Sequence, residues 1–176
     1  ILTNLHLHPD ERRLDALLRQ ADEQMRTALR ALAEAADARK PLILLGETLR
    51  QADECAAKNA ENSLTDAPTR EIHYINMRRQ QRRILLQVAQ DAQKVQGHPP
   101  QEAEVRALIG RIFAEYDREN DCTSLLSALH GLLVEMQRQP LPATRGEFED
   151  RALLYVLLRR MEDFLLLNRE FYETYG

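Results

Sequence analysis

The chain has 176 residues, of which 44% are hydrophobic and 30% are charged, so it can bury the core of one folded domain and is not intrinsically disordered. Its 24 basic and 28 acidic side chains give a net charge of −4. This charge disfavours nucleic acid as a partner, because polyanion binding depends on a basic surface.

The cysteines and the apolar runs exclude two further classes of protein. Cys55 and Cys122 lie far apart without a CxxC context, which disfavours a disulfide framework and favours a reducing compartment. The longest apolar runs, at 41–46 and 152–158, are much shorter than the ~20 residues that a transmembrane helix needs. Because the chain begins at Ile1 rather than at a methionine, we expect it to be a fragment of a longer protein.

Apolar side chains recur at spacings of three and four in six segments, which predicts helices, and no stretch alternates as a strand would. In chain order the predicted helices span about residues 10–36, 42–64, 68–95, 101–118, 123–139 and 145–171. The first, for example, has an apolar stripe of Leu14, Leu18, Ala21, Met25, Leu29 and Leu32. We therefore predict a single all-α domain over residues 1–176. It is an antiparallel bundle of about five to six helices, several of them long, with its chain ends near one another or near one end.

Three of the predicted helix boundaries have a local reason. Pro41 disfavours helical backbone at Lys40, so the first helix should end before it, and the second is predicted from about Leu42. Asp66 is the predicted cap of the third helix. Thr144, with Glu147 three residues later, predicts a capping box at the start of the sixth.

The third predicted helix carries polar side chains on and beside its apolar stripe. The stripe consists of Tyr74, Met77, Gln81, Ile84 and Val88, and Arg78 lies one position to the side. A buried polar group costs free energy unless it is paired, which leaves two interpretations. Arg78 and Gln81 either join neighbouring helices in a structural network, or they line a pocket with His73 and Asn76. In such a pocket the planar guanidinium would grip a small carboxylate with two parallel hydrogen bonds.

The start of the sixth helix, "TRGEFEDR" at 144–151, also has two interpretations. Arg145 and the exposed backbone N–H groups could bind an anion. Alternatively, the stretch forms a capping box with local ion pairs, and Phe148 anchors it in the core. Glu149 is a natural partner for Arg78 or Arg79 on the third helix, and that contact would join the two polar groups.

Two more stretches leave alternatives open. The basic run "MRRQQRR" at 77–83 either touches anionic lipid headgroups or forms a solvated face with ion pairs. The apolar C-terminal stretch "FLLLNREFYETYG" either packs on the first two helices or makes a dimer contact.

Three stretches resemble one known family, in the same order along the chain. They are "AKNAENSL" at 57–64, "YINMRRQQ" at 74–81 and "PLPATRGEFEDRALL" at 140–154. They resemble the C-terminal domain of the bacterial family named putative aromatic acid exporter, over about residues 57–167. The chain differs from the family pattern at Gly146, where a glutamate is common, and before Tyr74, where relatives carry more tyrosines.

The resemblance implies a non-enzymatic domain of a membrane transporter, on the cytoplasmic face of the inner membrane. It implies that the domain acts in subunit assembly, in gating, or in binding a small organic anion from the cytosolic side. Its partners would be its own N-terminal transmembrane domain, further copies in a homo-oligomer, and a small aromatic carboxylate whose ring stacks on Tyr74. The candidate ligand-binding residues are His73, Tyr74, Arg78, Gln81, Arg145 and Glu149.

No motif predicts a metal, a cofactor or a catalytic residue. The histidines are scattered without ligand spacing, and no serine lies in a GxSxG context. We therefore expect no enzyme, no metal and no cofactor. The alternative to a transporter domain is a free-standing soluble protein-interaction bundle of the adaptor or chaperone type, because no residue by itself requires a membrane.

Overall fold

The computed structural model of the chain describes residues 9–62, 69–117 and 120–176. Within these ranges the backbone forms six α-helices and no strand, which confirms the predicted all-α class. The helices are α1 (Pro9–Ala33), α2 (Arg39–Glu61), α3 (Thr69–Ala92), α4 (Pro100–Glu115), α5 (Thr123–Arg138) and α6 (Arg145–Tyr175). No helix in these ranges carries an apolar stretch long enough to cross a membrane.

Four helices surround the centre of the bundle, and two flank them. The inner helices α1, α3, α6 and α4 contact one another in a ring, α2 packs on α1 and α3, and α5 packs on α4 and α6. α3 and α6 run antiparallel: Gln81 meets Phe164, and further along α3 Asp91 meets Arg160. This arrangement follows from the short connections, which favour antiparallel neighbours.

The first and last described residues lie at the same end of the bundle, as predicted. Asn59, near the end of α2, donates to the backbone oxygen of Asp10 at the start of α1 over 3.4 Å. His73, near the start of α3, contacts Tyr175 at the end of α6. The connections from α1 to α2, from α3 to α4 and from α5 to α6 therefore lie at the opposite end.

Leucine-rich stripes fill the core, because each helix turns its apolar side toward its neighbours. All six residues predicted for the stripe of α1 are buried, from Leu14 to Leu32. The burial of a large aliphatic side chain contributes roughly 1.5–3 kcal/mol, so these stripes hold the helices together. Both cysteines, Cys55 and Cys122, are buried and free.

The start of α2 differs from the prediction. The helix begins at Arg39, two residues before Pro41 rather than after it. Proline is tolerated in the first turn because the N–H that it lacks would have no partner within the helix. α1 ends earlier than predicted, at Ala33, and the backbone at Ala35 is left-handed, with a φ of 57°. The predicted cap Asp66 lies outside the described residues.

The C-terminal residues pack on α3, so the expected contact with the first two helices is wrong. The ring of Phe171 lies 5.2 Å from that of Tyr74, and the ring of Tyr175 lies 5.7 Å from that of His73. The reason is that α6 continues to Tyr175, four residues beyond its predicted end, as an antiparallel neighbour of α3.

Candidate functional site

The polar side chains of α3 lie at the centre of the bundle. Arg78 and Gln81 are both 0% exposed, and Tyr74 and Asn168 are buried beside them. Together with Asp22 of α1, these residues form a set of connected side chains that we call the Arg78 network. It joins α1, α3 and α6, which are distant from one another in the sequence.

Every nitrogen of the Arg78 guanidinium donates to a protein atom. Nε donates to Asp22 Oδ1 over 3.2 Å and to Tyr74 Oη over 3.1 Å. Nη2 donates to Tyr74 Oη over 3.0 Å. Nη1 donates to Asn168 Oδ1 over 3.2 Å and to Gln81 Oε1. A carboxylate ligand at Arg78 would therefore have to displace groups that the fold already supplies.

Gln81 links α3 to the backbone of α6. Its Nε2 donates to the carbonyl oxygen of Phe164 over 2.9 Å, while its Oε1 accepts from Arg78. Asn168 extends the network to the connection between α4 and α5, since its Nδ2 donates to the backbone oxygen of Asn120 over 3.0 Å. Both amides thus use donor and acceptor, as buried polar groups require.

Two tyrosine rings lie against the Arg78 guanidinium. Its central carbon is 4.8 Å from the ring centre of Tyr74 and 4.6 Å from that of Tyr116, distances at which a cation is attracted to an aromatic ring. Burial lowers the pKa of Arg78, but Tyr116, Tyr74 and Asp22 act in the opposite direction and hold it above its ordinary value. Arg78 is therefore a charged group inside the bundle.

His73 lies near this network but outside it. Its side chain is exposed, its ring lies beside Tyr175, and its Nδ1 contacts the hydroxyl of Tyr175. The structure thus places His73, Tyr74, Arg78 and Gln81 along α3, with the last three in direct contact through Arg78.

Arg145 and Glu149 lie elsewhere, in the first turns of α6. They pair with each other at 2.9 Å, and the side chain of Arg145 is 91% exposed. Gln81 contacts α6 at Phe164. Phe164 is at least 15 residues beyond Arg145 and Glu149 on the same helix, which is more than about 20 Å at the rise of an α-helix. The six candidate residues therefore do not form one site.

The expected ion pair of Glu149 with Arg78 or Arg79 does not form among the described residues. Arg78 pairs with Asp22, and Arg79 pairs with Asp53 of α2 at 2.9 Å. In the same basic run, Arg82 Nε donates to the backbone oxygen of Leu42 over 2.6 Å. Arg79 and Arg82 thus hold α2 against α3, the first through an ion pair and the second through a backbone carbonyl. The interpretation of this run as an ion-paired face is met at Arg79.

At the start of α6, the predicted cap Thr144 is confirmed, but the reciprocal bond of Glu147 goes to the residue before the cap. The predicted role of Phe148 is corrected. Thr144 Oγ1 accepts from the backbone N–H of Glu147 over 3.1 Å, and Glu147 Oε2 accepts from the N–H of Ala143 over 2.8 Å. Phe148 is 61% exposed, so it does not anchor the helix in the core. It lies on the outer side of the first turn of α6.

Asp150 anchors this end of α6, and the sequence reasoning missed it. It is buried, and its two carboxylate oxygens accept from the backbone N–H groups of Gln96 over 2.9 Å and of Gly97 over 2.7 Å. A Cβ atom at Gly97 would lie 2.7 Å from Asp150 Oδ2, so this position requires glycine for close approach. The carboxylate thereby holds the turn after α3 against α6.

Asp22 and Asn168 were also missed, and only one of them had a signal in the sequence. Asn168 lies on the stripe of Met161, Phe164, Leu165 and Phe171, so it is a polar residue on an apolar stripe, like Gln81. Asp22 follows the buried Ala21 but lies beside the stripe of α1, where an acidic residue is ordinary. Among the described residues, no group of three or more potential metal ligands occurs.

Similar folds and sequences occur in bacterial proteins. A crystal structure described as a putative membrane protein from Clostridium difficile 630 matches with a TM-score of 0.78. The match covers 92% of this chain and 99% of that one at 23% identity, which shows the fold alone. The uncharacterized protein YqjA of Bacillus subtilis (strain 168) is 26% identical over 125 residues, or 71% of this chain. The aligned region spans 39% of the length of that relative.

The family comparison covers nearly the whole chain. Residues 5–169 match the model of the family described as "Putative aromatic acid exporter C-terminal domain". The matched range contains the Arg78 network and the capped start of α6. Tyr74, Arg78 and Gln81 of this network, and the start of α6, lie in the stretches that carried the resemblance. The chain belongs to the family of C-terminal domains of putative aromatic acid exporters.

Proposed function

We propose that this chain is the non-enzymatic cytosolic domain of an exporter and that it acts as a scaffold in the assembly of exporter subunits. The observation that carries this proposal is the state of Arg78, which is fully buried and has a protein acceptor at each nitrogen. Such a group fixes the mutual arrangement of helices. It does not offer a substrate carboxylate two free, parallel N–H groups.

The domain works in the context of a longer membrane protein. In this proposal a transmembrane domain precedes it in the chain, and the bundle lies on the cytoplasmic face of the cell membrane. The family's description as the C-terminal domain of an exporter supports this. The length of YqjA also supports it, because the region that aligns with this chain is only 39% of that protein. A rigid bundle of this kind can hold the membrane parts of several subunits in a fixed relation.

The assembly role can be tested in membranes. Two differently tagged copies of the full-length protein are expressed together, extracted with detergent and captured through one tag, with and without residues 9–176. We expect capture of the second copy only when these residues are present, while both forms insert into the membrane equally well. Equal capture without them would overturn the proposal.

A second candidate function is the binding of a small aromatic carboxylate at the Arg78 network. The observation in its favour is the pair of tyrosine rings within 4.8 Å of a charged guanidinium, which could hold an aromatic anion if Asp22 and Asn168 moved away. A ligand at 100 times its dissociation constant stabilises the protein by about 2.7 kcal/mol. Binding therefore predicts a rise in melting temperature with benzoate that is lost in Arg78→Lys.

The scaffold role predicts a different result in the same titration. We expect benzoate to leave the melting temperature of both the wild type and Arg78→Lys unchanged, beyond the shift that an equal concentration of sodium chloride produces. A saturable rise in the wild type alone would favour the binding site over a scaffold that does not contact substrate.

A further inference from the structure

A groove runs along the surface between α3 and α6, and it is lined only by residues of these two helices. Its apolar part consists of Ile84, Leu166 and Leu167, and Leu166 is 42% exposed. The groove lies on the outside of the bundle, on the two inner helices that contact each other most extensively. This apolar area is small, so the charged side chains around it decide what the groove binds.

Charged side chains of both signs line the same groove. Arg83 comes from α3, and Asp163 and Glu170 come from α6, and all three are exposed. In the part of the chain that the structure describes, none of the three forms an ion pair, whereas nearby Arg79 and Arg160 each have a carboxylate partner. The groove therefore offers a cation and two anions beside a small apolar centre.

We propose that this groove binds the same groove of a second copy of the chain about a two-fold axis, with Arg83 of each copy paired to Glu170 of the other. The axis passes near Leu166 and Leu167, which meet their own counterparts. This inference rests on the proposed role in subunit assembly and names the surface that performs it.

The register of α3 and α6 makes this pairing geometrically consistent. Gln81 is level with Phe164, so Arg83 of the antiparallel α3 is level with a position near residue 162 on α6. Glu170 lies about 12 Å further along α6 at the helical rise. An axis halfway between Arg83 and Glu170 is level with Leu166, and rotation about it brings each Arg83 to the level of the other copy's Glu170.

A second copy fits this surface better than a partner of one charge. A purely acidic partner would leave Asp163 and Glu170 facing like charges, and a purely basic one would do the same to Arg83. A two-fold contact gives both Arg83 and Glu170 a partner through one surface, because the pair occurs twice. The result is an apolar centre between two ion pairs, which is the usual order of a protein interface.

Sedimentation velocity of the isolated chain from about 5 to about 500 µM tests the inference, because this range spans dissociation constants of a moderate interface. We expect a dimer whose fraction rises with concentration. Arg83→Glu and Glu170→Arg should each weaken it by about tenfold or more, since each reversal acts twice. The double variant Arg83→Glu/Glu170→Arg should return to within about threefold of the wild type. A monomer at every concentration, or a double variant as weak as the single ones, would overturn it.

Two control variants separate this groove from other surfaces. Arg145 lies on α6 like Glu170 but in its first turn, and its side chain is 91% exposed, so Arg145→Glu should leave the dimer unchanged. Leu166→Cys should form a disulfide-linked dimer under mild oxidation because the axis brings it against its own copy, whereas Leu141→Cys, which is 90% exposed, should not. Linkage at Leu141 but not at Leu166 would contradict the proposed axis.

The outcomes also distinguish this inference from the proposed function. If full-length copies need residues 9–176 to be captured together but tolerate Arg83→Glu and Glu170→Arg, the scaffold role stands, and the groove is not the surface that joins the copies. If capture does not need these residues, the scaffold role fails, while sedimentation still decides whether the groove forms a dimer.

Discussion

Arg78 of α3 and Asp22 of α1 form an ion pair inside the bundle, with 3.2 Å between Arg78 Nε and Asp22 Oδ1. The side chain of Arg78 is 0% exposed and that of Asp22 is 17% exposed. Removing one partner of a buried pair is costly, because the other keeps the cost of its burial and loses its counter-charge. The stability of the fold should therefore be sensitive to substitution at this point.

We expect Arg78→Met to destabilise the protein by about 3–5 kcal/mol, since it leaves Asp22, Gln81 and Asn168 without their shared donor. Urea unfolding followed by circular dichroism measures this change. Arg79→Met is the matched control: it breaks a more exposed pair with Asp53 and should cost no more than about 1 kcal/mol. Equal losses in the two variants would contradict a special role for the Arg78 network.

Gly97 and Asp150 should show non-additive effects on stability. Asp150→Ala removes the acceptor of two backbone N–H groups and should cost about 2 kcal/mol. Gly97→Ala should be costly in the wild type, where the new Cβ meets Asp150 Oδ2, but much cheaper in Asp150→Ala. A double-mutant cycle from chemical unfolding should give a coupling of at least about 0.5 kcal/mol. Additive losses would show that the two residues act separately.

Glu102 should make the stability of the fold depend on pH in the acid range. Burial alone would raise the pKa of this carboxyl, but hydrogen bonds from His98 and Arg106 hold it below its ordinary value of 4.5. The unfolded chain therefore binds the proton more tightly, so the contribution of Glu102 is present above its ordinary pKa and is lost as the pH falls through the lower folded value.

Comparison with Glu102→Gln isolates this effect. At pH 7 we expect the variant to be less stable than the wild type by about 1–3 kcal/mol, because Arg106 loses a charged acceptor. The difference should shrink below pH 4.5, as measured by urea unfolding at a series of pH values. A difference that stays constant down to pH 3 would contradict the role of the ionised carboxylate.

Thr144→Ala should destabilise the protein by about 1 kcal/mol, because it removes the side-chain acceptor at the start of α6. Thermal unfolding provides the measurement. Thr174→Ala removes the same atoms near the other end of α6, where the hydroxyl only donates to the backbone oxygen of Glu170, and should change stability by less than about 0.5 kcal/mol. A larger loss in Thr174→Ala than in Thr144→Ala would argue against the capping box.

The helices and their buried sides could be predicted because both depend on local pattern. The spacing of Leu14, Leu18, Ala21 and Met25 predicts the buried stripe of α1, and all four are buried. The boundary at Pro41 was predicted wrongly, because a proline in a first turn lacks only an N–H that would have no partner within the helix. Phe148 was also misplaced, since its apolar character says nothing about which side of α6 faces solvent.

The sequence by itself determined that Gln81 and Arg78 lie on or beside an apolar stripe and therefore need partners, because a helical period of 3.6 residues is a local property. Only the tertiary structure decided that those partners are Asp22, Asn168 and the backbone of Phe164 rather than Glu149. The physical reason is that contacts between helices depend on how far each helix slides along its neighbours. That register is set by packing over the whole core, and no single stretch of sequence encodes it.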